Sequence, residues 1–262
     1  MNRKGTFTAY RIQSVRIENK TTRTLVFDAP LEDVQPGQYV MAWLPGISEK
    51  PFSISGDDPL ALTIADVGPV SRALTRLKVG ERVWVRGPLG RGFSLVSDSH
   101  LLVGGGYGAA PLSLLARRAR KLGHSVAVAL GAKSEGDLMM VSTFEEMGCQ
   151  VYTATEDGSC GVRGLVTAAV EAAYDACEPR ALYACGPNPM LITLAAYARE
   201  KELPAQLSFE ALIRCGIGLC GSCELPEEVC AQLGISPGFL VCHDGPVVNV
   251  NNPSPPIGGR LR

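Results

Sequence analysis

Four cysteines close to the C-terminal end constrain this chain more than any other feature. Cys215, Cys220 and Cys223 lie within Arg214-Cys-Gly-Ile-Gly-Leu-Cys-Gly-Ser-Cys223, and Cys242 follows after eighteen further residues. A C-x4-C-x2-C core with a distant fourth cysteine is the spacing of plant-type [2Fe–2S] sites. Structural zinc sites more commonly take thiolates from two separate knuckles, each with its cysteines two to four residues apart. Here one short loop supplies three. Gly216, Gly218 and Gly221 separate them, and glycine lets a loop wrap a cluster and turn its backbone N–H groups towards the sulfurs. The spacing predicts a [2Fe–2S] cluster on Cys215, Cys220, Cys223 and Cys242, with structural zinc or free thiols as the alternatives. Such a cluster passes electrons singly, so the chain is expected to carry electrons.

With 262 residues, 46% of them hydrophobic, the chain has room for two modest domains and an appendage. A net charge of −1 gives no reason to expect nucleic acid or an anionic membrane surface as partner. Nine cysteines, in a chain that opens Met1-Asn-Arg-Lys-Gly5 and runs straight into an alternating strand pattern, point to metal ligation in a reducing cytoplasm. The longest apolar stretch, Leu101 to Ala116, is broken by four glycines and a proline, and is too short to span a bilayer. The Pro-, Gly- and Asn-rich end from Asn251 to Arg262 is expected to lie on the surface.

Three regions follow from periodicity. In residues 1–97, short alternating or β-branched runs punctuated by Gly and Pro predict a small antiparallel barrel, interrupted by one helix near Val70–Leu77. In residues 98–209, apolar strands alternate with helical segments, the rhythm of a doubly wound parallel sheet. Residues 210–262 form the cysteine-bearing subdomain. The fold class is therefore β plus α/β with a small C-terminal [2Fe–2S] unit.

The middle region carries nucleotide chemistry. Gly104-Gly-Gly-Tyr-Gly-Ala-Ala-Pro111 stands where a strand becomes a helix. Free N–H groups and the dipole at a helix start favour a pyrophosphate, and Gly104, Gly105, Gly106 and Gly108 would let it approach. Tight packing alone would also explain the glycines. Cys185-Gly-Pro-Asn-Pro-Met190 opens another helix at a strand end, and Thr155-Glu-Asp-Gly-Ser159 closes a third strand. Ligands of open α/β sheets bind at such ends, so Asp157, Cys185, Gly186 and Pro187 join the expected set for a nicotinamide dinucleotide. Lys133 stands near the end of the second strand in place of an acidic residue, which leaves NAD and NADP both open.

A nicotinamide exchanges two electrons as hydride, whereas a [2Fe–2S] cluster exchanges one, and a flavin is the usual converter. The barrel offers a place for it. In Lys50-Pro-Phe-Ser53 a cation precedes a hydroxyl, suited to a flavin phosphate and to the ring. Beyond Asp66, Gly68-Pro-Val-Ser71 opens the short helix, where N–H groups and the Ser71 hydroxyl suit a pyrophosphate. The expected flavin residues are Lys50, Pro51, Phe52, Ser53, Asp66, Gly68 and Ser71. Lys50 as a solvated charge and Ser71 as a plain helix cap are the alternatives.

Taken in order, these segments resemble the ferredoxin-reductase superfamily and, more closely, the iron–sulfur electron-transfer subunits of two-subunit, NAD-linked dihydroorotate dehydrogenases. Lys50-Pro-Phe-Ser-Ile-Ser55 is similar to a flavin motif that begins with Arg in that family. Gly68-Pro-Val-Ser-Arg-Ala-Leu74, Gly87-Pro-Leu-Gly-Arg-Gly-Phe93, Glu156-Asp-Gly-Ser159 and Cys242-His-Asp-Gly-Pro246 match further family segments. The resemblance implies FAD, a [2Fe–2S] cluster and NAD as cofactors. It also implies an FMN-bearing catalytic subunit as partner, a dimer of heterodimers, and no side chain acting as catalytic acid or base. It favours Cys242 over Cys230 as the fourth ligand. Lys50 in place of Arg implies a weaker grip on phosphate, since lysine is a point charge without a bidentate fork. Similar subunits that serve ferredoxin, sulfide or hydrogenase partners are a second reading. A non-catalytic module with a zinc-stabilised tail is a third.

Overall fold

The computed structural model describes residues 5–251; of the surface segment expected from Asn251 to Arg262, all but Asn251 lies outside the described residues. The chain starts as a closed six-stranded antiparallel barrel. Its strands are β1 (Thr8–Ile17), β2 (Thr22–Phe27), β3 (Tyr39–Leu44), β4 (Ser48–Asp57), β5 (Leu60–Ala65) and β6 (Arg82–Leu89), in spatial order β1-β2-β5-β4-β3-β6. Alternation dictates the inside: Tyr10 and Ile12 of β1, Leu25 and Phe27 of β2, and Leu60, Leu62 and Ile64 of β5 point inward and are buried. Helix α1 (Pro69–Thr75) starts with proline, whose fixed φ suits the first helical turn.

The second unit is a seven-stranded sheet in the order β10-β9-β8-β7-β11-β12-β13. Strands β7 (Ser99–Gly105), β8 (Ser125–Ala132), β9 (Gln150–Thr155), β10 (Val162–Arg163), β11 (Ala181–Cys185) and β12 (Ala205–Ser208) run parallel; β13 (Val247–Val250) is antiparallel to β12. Helices α2 (Ala109–Lys121), α3 (Val141–Glu146), α4 (Val166–Cys177) and α5 (Asn188–Glu200) connect them. Leu101–Val103 of β7 and all of β11 are buried without alternation because helices cover both faces of the sheet there. The order of strand addition reverses between the parallel neighbours β7 and β11, so the switch-point crevice opens at their C-terminal ends.

Helix α2 joins the two units. Its Ser113 hydroxyl donates to the Ser55 carbonyl of the barrel at 2.9 Å, and Arg118 donates to the Asp57 carboxylate at 2.9 Å. The cysteine segment, with helix α6 (Glu227–Leu233), is an insertion between the paired strands β12 and β13. Periodicity had signalled nothing at β13, whose four residues complete the sheet edge after the segment ends. Cys223, Leu225, Cys230, Leu233, Val241 and Cys242 share one core with Tyr39, Met41 and Leu89 of the barrel and with α4 and α5.

At the opposite end of the sheet His100 is buried, with Nε2 2.9 Å from His124 Nδ1 and Nδ1 3.3 Å from the Ser97 hydroxyl. Burial, and secondarily the neighbouring His124, lower its pKa to about 4 against the opposing pull of Asp98. The folded chain therefore binds this proton less readily than the unfolded one. Its contribution to stability is complete above about pH 6.5, is lost as pH falls through about 4, and amounts to about 3 kcal/mol. The slope of stability against pH between these limits is expected to flatten in His100→Gln; an unchanged slope in denaturant titrations would refute the assignment.

Candidate functional site

A groove of about 740 Å³ runs between barrel, sheet and cysteine segment. The barrel contributes Tyr39, Lys50, Pro51, Phe52, Ser53, Thr63, Gly68 and Ser71. The sheet contributes Tyr107, Gly108, Cys185 and Ser208, and the segment beyond it Glu210, Leu212 and Ile213. Predominantly apolar walls with a few convergent polar groups are typical of cofactor sites. Of the residues expected to bind flavin or nicotinamide, Lys50, Pro51, Phe52, Ser53, Gly68, Ser71, Gly108 and Cys185 line this space, whereas Asp66, Gly104, Gly105, Gly106, Asp157, Gly186 and Pro187 do not.

Lys50-Pro-Phe-Ser53 lies on β4 and pairs with β3, so that Tyr39 stands opposite Ser53. The Ser71 hydroxyl is engaged locally. It accepts from the Val67 and Gly68 N–H groups, each at 3.0 Å, and donates to the Gly68 carbonyl at 3.1 Å. It thereby shapes the start of α1, and a phosphate at this turn would meet backbone N–H groups rather than a free hydroxyl. Asp66 is paired with Arg72 at 3.2 Å and is not among the lining residues.

On the sheet side, α2 starts at the groove. The glycine turn and the Cys185 turn approach so closely that a Cβ on Gly108 would overlap the Cys185 carbonyl, and one on Gly105 would come within 2.7 Å of Met190 Sδ. Gly186 and Pro187 belong to the second turn, and the Gly186 side of it faces Gly105. Gly104 packs against Ala109, while Gly106 faces open space with φ +55°. Close packing thus explains Gly104, Gly105 and Gly108 at the crevice mouth, and Gly106 holds a left-handed turn. Asp157 sits at the end of β9, outside the groove lining. Hydrogen bonds from the Ser159 hydroxyl (2.6 Å) and amide (3.0 Å) hold its carboxyl below the usual carboxylate range.

Burial, reinforced by Glu210, pushes the Cys185 thiol up to about 12. A thiol held protonated at neutral pH fills space against a ring and is a poor nucleophile. Much of Glu210 is exposed, yet burial of its carboxyl against the groove raises it above the ordinary range.

The four cysteines assemble as two pairs. Cys215 and Cys220 interact through their thiols, as do Cys223 and Cys242. Cys223 and Cys242 are buried and Cys220 is exposed. Backbone N–H groups surround the sulfurs: Gly218 donates to Cys242 Sγ at 3.2 Å, Cys242 to Cys223 Sγ at 3.4 Å, and Ile217, Leu219 and Cys220 to Cys215. Gly216, Gly218 and Gly221 adopt φ of +71°, +79° and +69°, the left-handed turns that point these amides inwards. Among the described residues no three His, Cys, Asp or Glu side chains are arranged to hold one metal ion. Two thiol pairs ringed by amides instead fit a centre with two irons, each taking two thiolates. Cys230 lies elsewhere, on the buried face of α6 with its Sγ directed at the Leu225 carbonyl.

Sequence reasoning did not reach Tyr39, Arg86 or Glu49. The Tyr39 hydroxyl donates to the carbonyls of Gly216 (3.3 Å) and Cys242 (3.1 Å). Arg86 donates to the Cys215 carbonyl (2.9 Å) and meets both Glu49 carboxylate oxygens (3.0 and 3.2 Å). A signal existed only for Arg86, a charge inside the buried run of β6.

Residues 210–252 match the family described as the iron–sulfur cluster binding domain of dihydroorotate dehydrogenase B, and residues 102–195 match the oxidoreductase NAD-binding domain. A curated protein of Methanocaldococcus jannaschii, described as a probable dihydroorotate dehydrogenase B (NAD(+)) electron transfer subunit, is 35% identical over 90% of this chain and 87% of its own. The chain belongs to the family of dihydroorotate dehydrogenase B electron transfer subunits. A Methanopyrus kandleri member with the same description is 39% identical over 81% of this chain and 78% of its own. Among solved structures, a NADH-dependent reduced ferredoxin–NADP oxidoreductase superposes with a TM-score of 0.78 at 26% identity, covering 94% of this chain and 89% of that one. A ferredoxin reductase of carbazole 1,9a-dioxygenase shares the fold at a TM-score of 0.64 and 22% identity, over 76% and 66% of the two chains. The match to the cluster-binding domain follows the match to the NAD-binding domain along the chain.

Proposed function

We propose that this chain is the electron transfer subunit of an NAD-linked dihydroorotate dehydrogenase in pyrimidine biosynthesis. It receives electrons from an FMN-bearing catalytic subunit through a [2Fe–2S] cluster and passes them by FAD to NAD+. The observation that carries the reading is the common wall: Tyr39 and Ile213 adjoin both the groove and the cysteine loops. When bound, FAD supplies the conversion between single electrons and hydride.

The chain's own groups bind and orient. Cys215, Cys220, Cys223 and Cys242 hold the cluster. Lys50 and the turn at Gly68 receive FAD phosphates, and Pro51, Phe52 and Ser53 line its ring. The α2 start at Gly108 and the turn at Cys185–Pro187 receive the nicotinamide dinucleotide, with Asp157 on the nucleotide's outer side. Functionally the barrel (1–97), nucleotide domain (98–209) and cluster unit (210–262) divide these tasks, although β13 returns to the nucleotide sheet. Among the described residues no helix is long and apolar enough to cross a membrane; the cytoplasmic place of work is proposed on the nine cysteines, which suit a reducing compartment.

Mixed with a dihydroorotate dehydrogenase catalytic subunit, the loaded chain is expected to give dihydroorotate-dependent reduction of NAD+; alone it should oxidise NADH only with artificial acceptors. Failure of the mixture to form NADH, with both halves separately active, would overturn the partner. The likeness to the NADH-dependent ferredoxin–NADP oxidoreductase supports one alternative, a ferredoxin partner, and ferredoxin reduction by NADH without the catalytic subunit would favour it.

Ile217 and Leu219, 50% and 80% exposed, stand at the tip of the cluster loop. Apolar side chains presented beside an electron-transfer centre suit a docking contact. Ile217→Asp is expected to weaken co-purification of the catalytic subunit at least tenfold while NADH–dye turnover persists. Unchanged assembly would place the contact elsewhere.

A further inference from the structure

Two side chains of the barrel take hold of the cysteine segments at backbone carbonyls. Arg86, locked by Glu49, donates to the carbonyl of Cys215, and Tyr39 donates to those of Gly216 and Cys242. Cys215 belongs to one thiol pair and Cys242 to the other. Each pair is therefore fastened once to the barrel that forms the groove. A further link, from the Arg91 amide to the Gly245 carbonyl at 2.5 Å, lies beyond the last cysteine.

We propose that Tyr39 is a positioning residue for the cluster, fixing the Cys223–Cys242 pair to the wall of the flavin groove. This rests on the reading of the cysteines as a [2Fe–2S] site and of the groove as the flavin site. Tyr39 is buried, and its one hydroxyl proton is shared between two carbonyls on segments far apart in the chain. Ring and hydroxyl have separate duties. The ring lines the groove opposite Ser53, while the hydroxyl reaches the backbone from which the Cys242 sulfur hangs. A tyrosine that merely filled the core would need no partner on a ligand residue. Here, withdrawing the hydroxyl leaves the Cys242 carbonyl short of a donor in a buried place, and the strand of backbone that carries the sulfur is free to shift. Arg86 does the same for the Cys215–Cys220 pair. Its two-pronged pairing with Glu49 sets the guanidinium plane and hence the position of the Cys215 carbonyl. Both ends of the cluster then keep a fixed separation from the groove, whatever docks on the exposed Cys220 side.

The test uses the full chain prepared anaerobically with its iron, sulfide and flavin. Tyr39→Phe keeps the ring and removes the hydroxyl. It is expected to take up iron and sulfide but to lose iron to a chelator about fivefold faster, the effect of one missing hydrogen bond. Its reduced cluster is expected to show an altered electron paramagnetic resonance line shape. Leu25→Ala, in the barrel core away from the cysteines, destabilises the barrel and should leave that spectrum unchanged. Arg86→Lys, which forfeits the two-pronged pairing, should alter the spectrum as Tyr39→Phe does. A wild-type spectrum and iron-release rate in Tyr39→Phe would overturn the proposal, as would an equal spectral change in Leu25→Ala. Should the unaltered chain take up no iron and sulfide, the cluster reading falls, and the inference with it.

Discussion

Replacing Cys242 with serine is expected to yield a yellow flavoprotein with no cluster, whereas Cys230→Ser keeps the full complement of iron and sulfide. The two residues are twelve apart in number but differ entirely in surroundings. Cys242 is paired with Cys223 and receives the Gly218 amide at 3.2 Å. Cys230 is turned into the core from α6 itself, and burial raises its thiol. Two adjacent buried cysteines, Cys223 and Cys242, each with a backbone amide directed at its sulfur, suit thiolates held on a metal centre. Iron and sulfide analysis of both variants decides the matter. Full iron in Cys242→Ser, or its loss in Cys230→Ser, would reverse the ligand assignment. The cysteine variant should still oxidise NADH with a dye, because the groove and nucleotide crevice are untouched.

The second large effect is expected at Gly108. Its φ of −63° is open to any residue, so backbone conformation does not demand glycine there. Space does: a Cβ would overlap the carbonyl of Cys185 and crowd the Gly186 amide. Both obstacles are backbone and cannot swing aside. Gly108→Ala is therefore expected to cost about 3 kcal/mol, at the upper end for overpacking, and to push the Cys185–Pro187 turn away from the α2 start. Since both turns line the crevice at the strand reversal, NADH affinity should fall with stability. Gly106→Ala is the informative comparison. Its φ of +55° carries a penalty, but nothing lies within 4 Å of the added carbon, and a cost of about 1–2 kcal/mol follows from the left-handed conformation alone. Denaturant unfolding and NADH titration of the two variants measure the difference. Equal costs would mean that the turns do not meet as closely as described.

How far the sequence reached can be seen at individual residues. The barrel was legible because short β-branched or alternating runs, such as Arg11-Ile12-Gln13 in β1, recur between Gly and Pro, and the parallel sheet because Leu101–Val103 and Ala181–Cys185 are apolar without alternation. The cysteine spacing was legible because ligand geometry restricts it. What could not be read is what depends on distant partners. Tyr39 meets carbonyls 177 and 203 residues later in the chain, and no local pattern encodes such a meeting. Strand β13 is four residues long and owes its conformation to pairing with β12. The Ser71 hydroxyl shows the opposite case: a polar group in an expected phosphate turn is engaged by its own backbone, a local competition common to serine near helix starts. At Asp66, likewise, the partner is Arg72 on the following helix.

The central claim is that one chain holds a flavin and an iron–sulfur cluster on either side of a shared wall. The most direct measurement is the absorption spectrum of anaerobically prepared full chain, together with iron, acid-labile sulfide, zinc and flavin analysis. The account predicts flavin and cluster bands in the same molecule, with about two irons, two sulfides and one FAD per chain. A colourless chain containing one zinc and no flavin would contradict it.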